Sequence, residues 1–378
     1  MTQTLAEQIA ALPAPERDLL QRYGFDEALI LRLAARLVDG HAADEANRVT
    51  GRVTAPGETD VIDAPQPGSP SYRECVEAGE AALRAGECAM VVLAGGMATR
   101  MGGVVKALVE PLPGLSFLEL RLREQASLGL RLGREFPLWL MTSHATESET
   151  RRALGERFQS ATIATFPQYL SVRLRPEGAL YLDHHGRPSV HAPGHGDLPD
   201  ALRASGLLQR FLERGGKWLT VANLDNLGAN LDPALIGWHI LNSRTLTCEV
   251  VDKTAGDRGG IPVRLEGRPV VLEEFRLPRS FDPSTVSVFS TNTFHFDAAV
   301  LHNLDMDFTF FAVFKEADGQ RVVQFERLLG EVTSVLPTRF LRVSRTGDDS
   351  RFLPVKNQDE LAQRAPEIER VARARGWL

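Results

Sequence analysis

Only three cysteines occur in 378 residues, and Cys75, Cys88 and Cys248 lie far apart. A set this small and odd argues against a disulfide framework, and its spacing lacks the paired ligands of a structural zinc site, so all three read as structural thiols. No run of about 18 apolar residues is present, so no membrane-spanning helix is expected. The opening MTQTLAEQIAALPAPERDLL lacks the basic start and apolar middle of a secretory signal, which makes the cytoplasm the expected location. Excess positive charge is missing too. Lys and Arg number 43 against 49 Asp and Glu, giving a net charge of −6 and a pI near 5.9. Without an overall basic field, neither nucleic acid nor a membrane surface is an expected partner, and an anionic ligand has to be small and locally held.

What is present is an apolar fraction of 43%, enough to bury a sizeable core across two or three domains. Residues 1 to about 85 read as a helical, peripheral N-terminal segment. LAEQIAALPAPERDLLQRYG and DEALILRLAARLVDG carry helical spacing, and a Pro- and Gly-bearing stretch, TAPGETDVIDAPQPGSP, comes after them. From Ala89 the texture changes to AMVVLAGG, SFLELRLREQASLG, FPLWLMTSH, ATESETRRALGERF and ATIATF. That order predicts βαβαβ, hence an α/β fold with a mainly parallel sheet and helices on both faces. Capping boxes are expected from Ser116 to Glu119 and from Thr146 to Glu149. A helix over about 199–214 leads to the strand KWLTVANLDN, and strands in 245–295 predict an inserted or appended mixed sheet. From Gln358 the chain reads as a basic amphipathic helix with arginines at 364, 370, 373 and 375. The expected units are therefore 1–85, 86–356 and 357–378.

Residues 91–110, VVLAGGMATRMGGVVKALVE, end a buried strand in a glycine-rich loop. No register gives the dinucleotide pattern G-x-G-x-x-G, and Lys106 is followed by Ala, which rules out a P-loop. What remains is general: glycines let several N–H groups converge on one point, and Arg100 and Lys106 add positive charge beside them. A triphosphate suits that combination; a tight turn with two solvated cations is the competing reading.

Together with the segments downstream of it, the loop resembles the UDP-sugar pyrophosphorylases, the UTP–glucose-1-phosphate uridylyltransferase family. The matching loop residues are Gly95, Gly96, Thr99, Met101, Gly102 and Lys106. In order over about residues 90–356 come FPLWLMTSHATESET, FPQYLSVRL, PGHGDLPDALRASGLL, VANLDNLGANLDP, VVDKTAGDRGG, VLEEF, FSTNTF and SRFLPVK. The resemblance implies a Rossmann-like, glycosyltransferase-A-type nucleotidyltransferase core with a mixed central sheet. Its nucleotide half would run over about 86–242 and its sugar half over about 243–356.

The implied reaction is attack of glucose-1-phosphate on the α-phosphorus of UTP, giving UDP-glucose and pyrophosphate. Two anions react, so the protein's task is to neutralise charge and align the attack. Arg100, Lys106 and Lys356 are the implied catalytic cations. Leu93, Gly95, Gly96, Gln168, Gly194, His195, Gly196, Asn223 and Asp225 are the implied nucleotide contacts. Gly259, Gly260, Glu273, Asn292 and Lys253 would serve the sugar. Asp225, a carboxylate at a strand end, suits a Mg²⁺ bridging phosphates, since this hard cation prefers oxygen and keeps much of its water; a plain Asp-Asn turn is the alternative. His184, His185, His191 and His195 fit no zinc spacing, and LYLDHHGRPSVH reads as a hairpin with exposed imidazoles.

Three departures from the family pattern stand out, in the glycine loop, at Thr293 and at the C-terminus. Ala98 replaces a loop glycine and would be strained, with weakened nucleotide binding, if its φ had to be positive. The run to Lys106 is shortened to GGVVK, and Thr293 replaces an asparagine, which bears on the choice of sugar. The chain ends 22 residues after Lys356, so the C-terminal β-helix of many relatives is expected to be absent, and a monomer or small homo-oligomer is expected. Alternatives are the same chemistry on N-acetylglucosamine-1-phosphate or another hexose phosphate, or a nucleotide-sugar-binding protein without turnover.

Overall fold

The computed structural model describes residues 3–37, 44–98 and 101–378. Its centre is an eight-stranded sheet, whose strands are labelled here in chain order: β1 (Val61–Asp63), β2 (Cys88–Leu93), β3 (Leu138–Thr142), β4 (Ile163–Pro167), β5 (Trp218–Asn223), β6 (Leu246–Asp252), β7 (Val288–Asp297) and β8 (Thr338–Arg342). Their spatial order is β1-β8-β6-β7-β5-β2-β3-β4. β7 runs antiparallel to both its neighbours and every other pairing is parallel, so the sheet is mixed with one reversed strand.

Alternation along β2 divides the interior in two, because successive side chains of a strand leave opposite faces. Ala89 and Val91 enter one core; Cys88, Met90 and Val92 enter the other. Helices cover both faces. Pro70–Ala85 starts at Pro70, with the Ser69 hydroxyl accepting from Tyr72 N–H at 3.1 Å, and stops at Gly86, whose φ is 77°. Phe117–Leu132 starts the same way, with Ser116 Oγ accepting from Glu119 N–H at 3.1 Å. The expected cap at Thr146 does not form. Its hydroxyl instead accepts from Ser143 N–H at 3.0 Å and donates to Ala94 O at 3.1 Å, tying that loop to the end of β2.

Four expectations need correction. The helix expected over 199–214 is two, Leu198–Ala204 and Leu207–Glu213, parted by Gly206 at φ 71°. The 245–295 strands do not make a separate sheet, since β6 and β7 lie inside the main one. Thr247, Glu249, Thr293 and His295 give them a half-polar pattern, yet all four are buried. Within that segment only the hairpin Gly260–Leu265/Arg268–Glu273 stands apart, with Val53–Thr54 as its third strand. Residues before 85 are neither wholly helical nor peripheral: β1 joins the sheet, and Pro70–Ala85 crosses helix Pro233–Trp238 where Gly79 and Gly237 let the backbones touch. The three N-terminal helices Leu5–Ala10, Ala14–Arg22 and Glu27–Ala34 do pack at the periphery, on a third apolar cluster that includes Leu170, Val172 and Phe325. Finally, His191 in the 181–191 hairpin is buried, whereas His184 keeps 66% of its side chain exposed. No helix of the described residues is long and apolar enough to cross a membrane.

Candidate active site

β2 and β5 are parallel neighbours in register, Leu93 beside Asn223. Their carboxyl ends therefore deliver the glycine loop and the Asn223–Asn230 loop to one edge of the sheet, where open α/β sheets hold ligands. A cleft of about 740 Å³ opens there. Leu93, Gly95, Gly96, Lys106, Gln168, Gly194, His195, Asn223, Asp225, Gly259, Gly260, Glu273, Asn292 and Lys356 all line it. Arg100 and Thr99 lie outside the described residues.

The glycine loop is built for close approach. A Cβ on Gly95 would stand 3.0 Å from the Gln168 amide nitrogen, so a side chain there would push that amide aside. The Gly95 carbonyl accepts from Ser143 Oγ at 2.9 Å, which turns the loop backbone toward the cleft. Ala98 is not strained: it pairs with Val104 in a short antiparallel ladder, and the positive φ values fall on Gly102 (88°) and Gly103 (74°). The structural ground for a weakened loop is thereby removed.

Lys106 and Asp225 meet across the cleft, Nζ to Oδ2 at 2.8 Å, and Val355 N–H also donates to that oxygen at 3.2 Å. Lys356 is the next residue and presents an exposed side chain to the same cavity. Beside them, a bulge in β7 sets Asn292 at φ 56°, and its Nδ2 donates to Asn223 Oδ1 at 2.9 Å. A non-glycine residue held in that region marks a position fixed by its surroundings.

At the Gln168 end, His195 Nδ1 accepts from Leu329 N–H at 2.9 Å, which places the ring proton on Nε2. Burial pushes its pKa down to about 4, so the ring is neutral near pH 7. Elsewhere along the cleft, burial and then the neighbouring Glu274 carboxylate raise Glu273 to about 7.

Two expected residues lie elsewhere. Lys253 does not line the cleft; its ammonium donates to Glu274 at 2.9 Å and Pro283 O at 3.3 Å. Arg258, directly before the paired glycines, is the cation that borders the cleft there, with Nη1 3.3 Å from Glu274. Gly196 also faces away, into the Arg327–Leu328 backbone, which a Cβ would meet at 2.7 Å. Thr293 is fully buried in β7 and does not line the cleft. Sequence reasoning missed the polar wall formed by His144, Arg173, His191, Gln324 and Glu326, residues scattered over four segments with no common motif.

A mixed sheet, a glycine loop over the end of β2 and an acidic loop over the end of β5 define an α/β protein of the nucleotidyltransferase fold. Among solved structures, UDP-glucose phosphorylase from Trypanosoma brucei shares this fold, with a TM-score of 0.71 and 22% identity, over 92% of this chain and 76% of that one. The family model for UTP–glucose-1-phosphate uridylyltransferase matches residues 58–366, and the chain belongs to that family. Similar relatives are the UTP–glucose-1-phosphate uridylyltransferases of Solanum tuberosum, 31% identical over 71% of this chain, and Musa acuminata, 32% identical over 72%. The matches cover 59% and 61% of those two proteins, so the chain spans about three-fifths of the length of the curated relatives it matches.

Proposed function

We propose that this chain is a uridylyltransferase that makes UDP-glucose and pyrophosphate from UTP and glucose-1-phosphate by a single in-line displacement. The observation that carries the reading is the Lys106–Asp225 pair, which shares one cleft with Gln168, His195, Glu273 and Asn292. In this reading Gln168 reads the uracil edge, since an amide donates and accepts at once. Leu93, Gly95, Gly96 and Gly194 border the base and ribose, with His195 Nε2–H as a further donor. Glu273 and Asn292 hold sugar hydroxyls, and Arg258 replaces Lys253 as the cation beside the sugar phosphate.

The donor set fits a divalent ion that arrives with the triphosphate. Among the described residues no three His, Cys, Asp or Glu side chains converge as a metal site, so Asp225 would supply one carboxylate and phosphate oxygens and water the rest. Mg²⁺ held there would neutralise charge on the phosphates. Lys106, drawn from Asp225 toward the phosphates, and Lys356, from the opposite wall, would stabilise the charge that builds on the transferring group and on leaving pyrophosphate. No side-chain nucleophile is needed, because the sugar phosphate oxygen attacks directly.

Calorimetric titration tests the base assignment. UDP-glucose should bind the parent, and bind Gln168→Ala more weakly. ADP-glucose should bind the parent far more weakly than UDP-glucose does; equal affinity for the two nucleotide sugars would refute the base assignment.

A further inference from the structure

Helix Phe117–Leu132 carries Arg121 on its inner face, 0% exposed, directly beneath the loop that ends β5. A guanidinium is costly to bury unless its donors are met, and it has five N–H groups in a planar fork. Here every one is used. Nε donates to Leu224 O at 3.4 Å, and Nη2 to Asn223 O at 3.0 Å and Asn226 O at 2.5 Å. Nη1 donates to Ala229 O and, at 2.8 Å, to the Glu124 carboxylate one turn along the helix. The bonded carbonyls belong to two successive turns, Asn226 N–H to Asn223 O and Ala229 N–H to Asn226 O, at 3.2 and 3.0 Å. Asp225 lies within the first turn and lines the cleft.

We propose that Arg121 is a positioning residue: by gathering the carbonyls of Asn223, Leu224, Asn226 and Ala229 onto one rigid plane, it fixes where Asn223 and Asp225 meet the substrates. Among the described residues, no other side chain on the inner side of the loop has that reach. Arg375 Nη1 takes only Gly228 O at 2.8 Å, Arg351 reaches only Asn230 of the loop, through its Oδ1 and, at 3.3 Å, its carbonyl, and the backbone of 351–355 holds the Asn226 side chain and the Asp225 carboxylate. A lysine can keep the charge but cannot span four carbonyls in one plane. The proposal rests on the reading that Asp225 serves the nucleotide site.

The test uses Arg121→Lys, the double variant Arg121→Met/Glu124→Met and Asp225→Asn in the full chain. The double variant removes both buried charges together, a change that cores often tolerate, whereas the single change risks an orphaned carboxylate. For folded Arg121 variants, kcat should fall by about 100-fold, the scale expected for a misplaced site group, with KM for glucose-1-phosphate little changed. Amide hydrogen exchange should quicken over 223–229 and stay parental in β2 and β3. Parental turnover and exchange in a folded variant, beside a crippled Asp225→Asn, would overturn the clamp alone. Full activity in Asp225→Asn would overturn the site reading and the clamp with it. Failure of both Arg121 variants to fold would make the residue a determinant of the fold and overturn a separable positioning role.

Discussion

Glu273, proposed to hold a sugar hydroxyl, illustrates what a half-buried carboxyl costs in stability. Its pKa in the fold, about 7, lies above the ordinary 4.5, because burial and Glu274 disfavour the ionised form. The sign comes from proton binding. Below 4.5 the group is neutral folded and unfolded alike. As pH rises toward 7 the unfolded chain ionises first, so the native state loses stability across that window and does not regain it above. Glu273→Gln removes the penalty. Melting curves should show little gain for the variant near about pH 4, a gain that grows to about pH 7 and then levels, with a raised KM for the sugar phosphate. A stability difference independent of pH would contradict the assignment. At this scale the site was legible wherever a residue belonged to a compact motif: Gln168, Asn223, Asp225, Glu273 and Lys356 all reach the cleft. It was illegible where the role depends on direction. Gly196 and Lys253 sit in the expected segments but turn elsewhere, and Arg121 reads in sequence as one more polar helix residue, since its carbonyl partners lie 102 to 108 positions away.

Elements place these residues by how closely their backbones approach. Helices Pro70–Ala85 and Pro233–Trp238 cross at Gly79 and Gly237, where an added Cβ would stand 1.9 Å from Pro233 O and 1.7 Å from Cys75 O. Neither carbonyl can move without moving its helix. Gly237→Ala should therefore lower unfolding free energy by about 3 kcal/mol, the overpacking scale. Denaturant midpoints would read this, with turnover per folded molecule unchanged; a midpoint equal to the parent's would mean that the crossing is looser than these backbone distances imply. The short strands and their parallel order were readable from apolar runs alternating with capped helices. The membership of β6 and β7 in the central sheet was not. Their polar residues form a buried chain, His295 to Thr220 at 3.0 Å and to Glu249 at 2.8 Å, with Arg351 on Glu249, so alternation that imitates a solvated face is internally paired at every one of them but Thr293, whose buried hydroxyl has no partner. Thr146 misled for a related reason: a hydroxyl suited to a helix cap was taken by the backbone of β2.

For the molecule as a whole, the acidic net charge of −6 coexists with a cleft lined by the cations Lys106, Arg173, Arg258 and Lys356, a local exception to the overall charge. The ordered series of motifs was the most legible feature of the sequence, because most sit at the carboxyl ends of parallel strands or in the loops beside them, while FSTNTF, inside antiparallel β7, reaches the same cleft through its bulge. The N-terminal helices were legible as helices but not as a support. Tyr23 O accepts from Leu170 N–H at 3.0 Å, and its hydroxyl donates to Glu147 at 2.7 Å, bracing the loops after β3 and β4. On the proposed function, this cleft transfers uridylyl groups to a sugar phosphate. Its most direct test is pyrophosphate release with Mg²⁺, across UTP, dTTP, ATP and GTP paired with glucose-, galactose- and N-acetylglucosamine-1-phosphates, for the parent and Lys356→Ala. Strong release confined to UTP with glucose-1-phosphate, and lost in the folded variant, is the expected result; silence across the grid, or equal release from ATP, would contradict it.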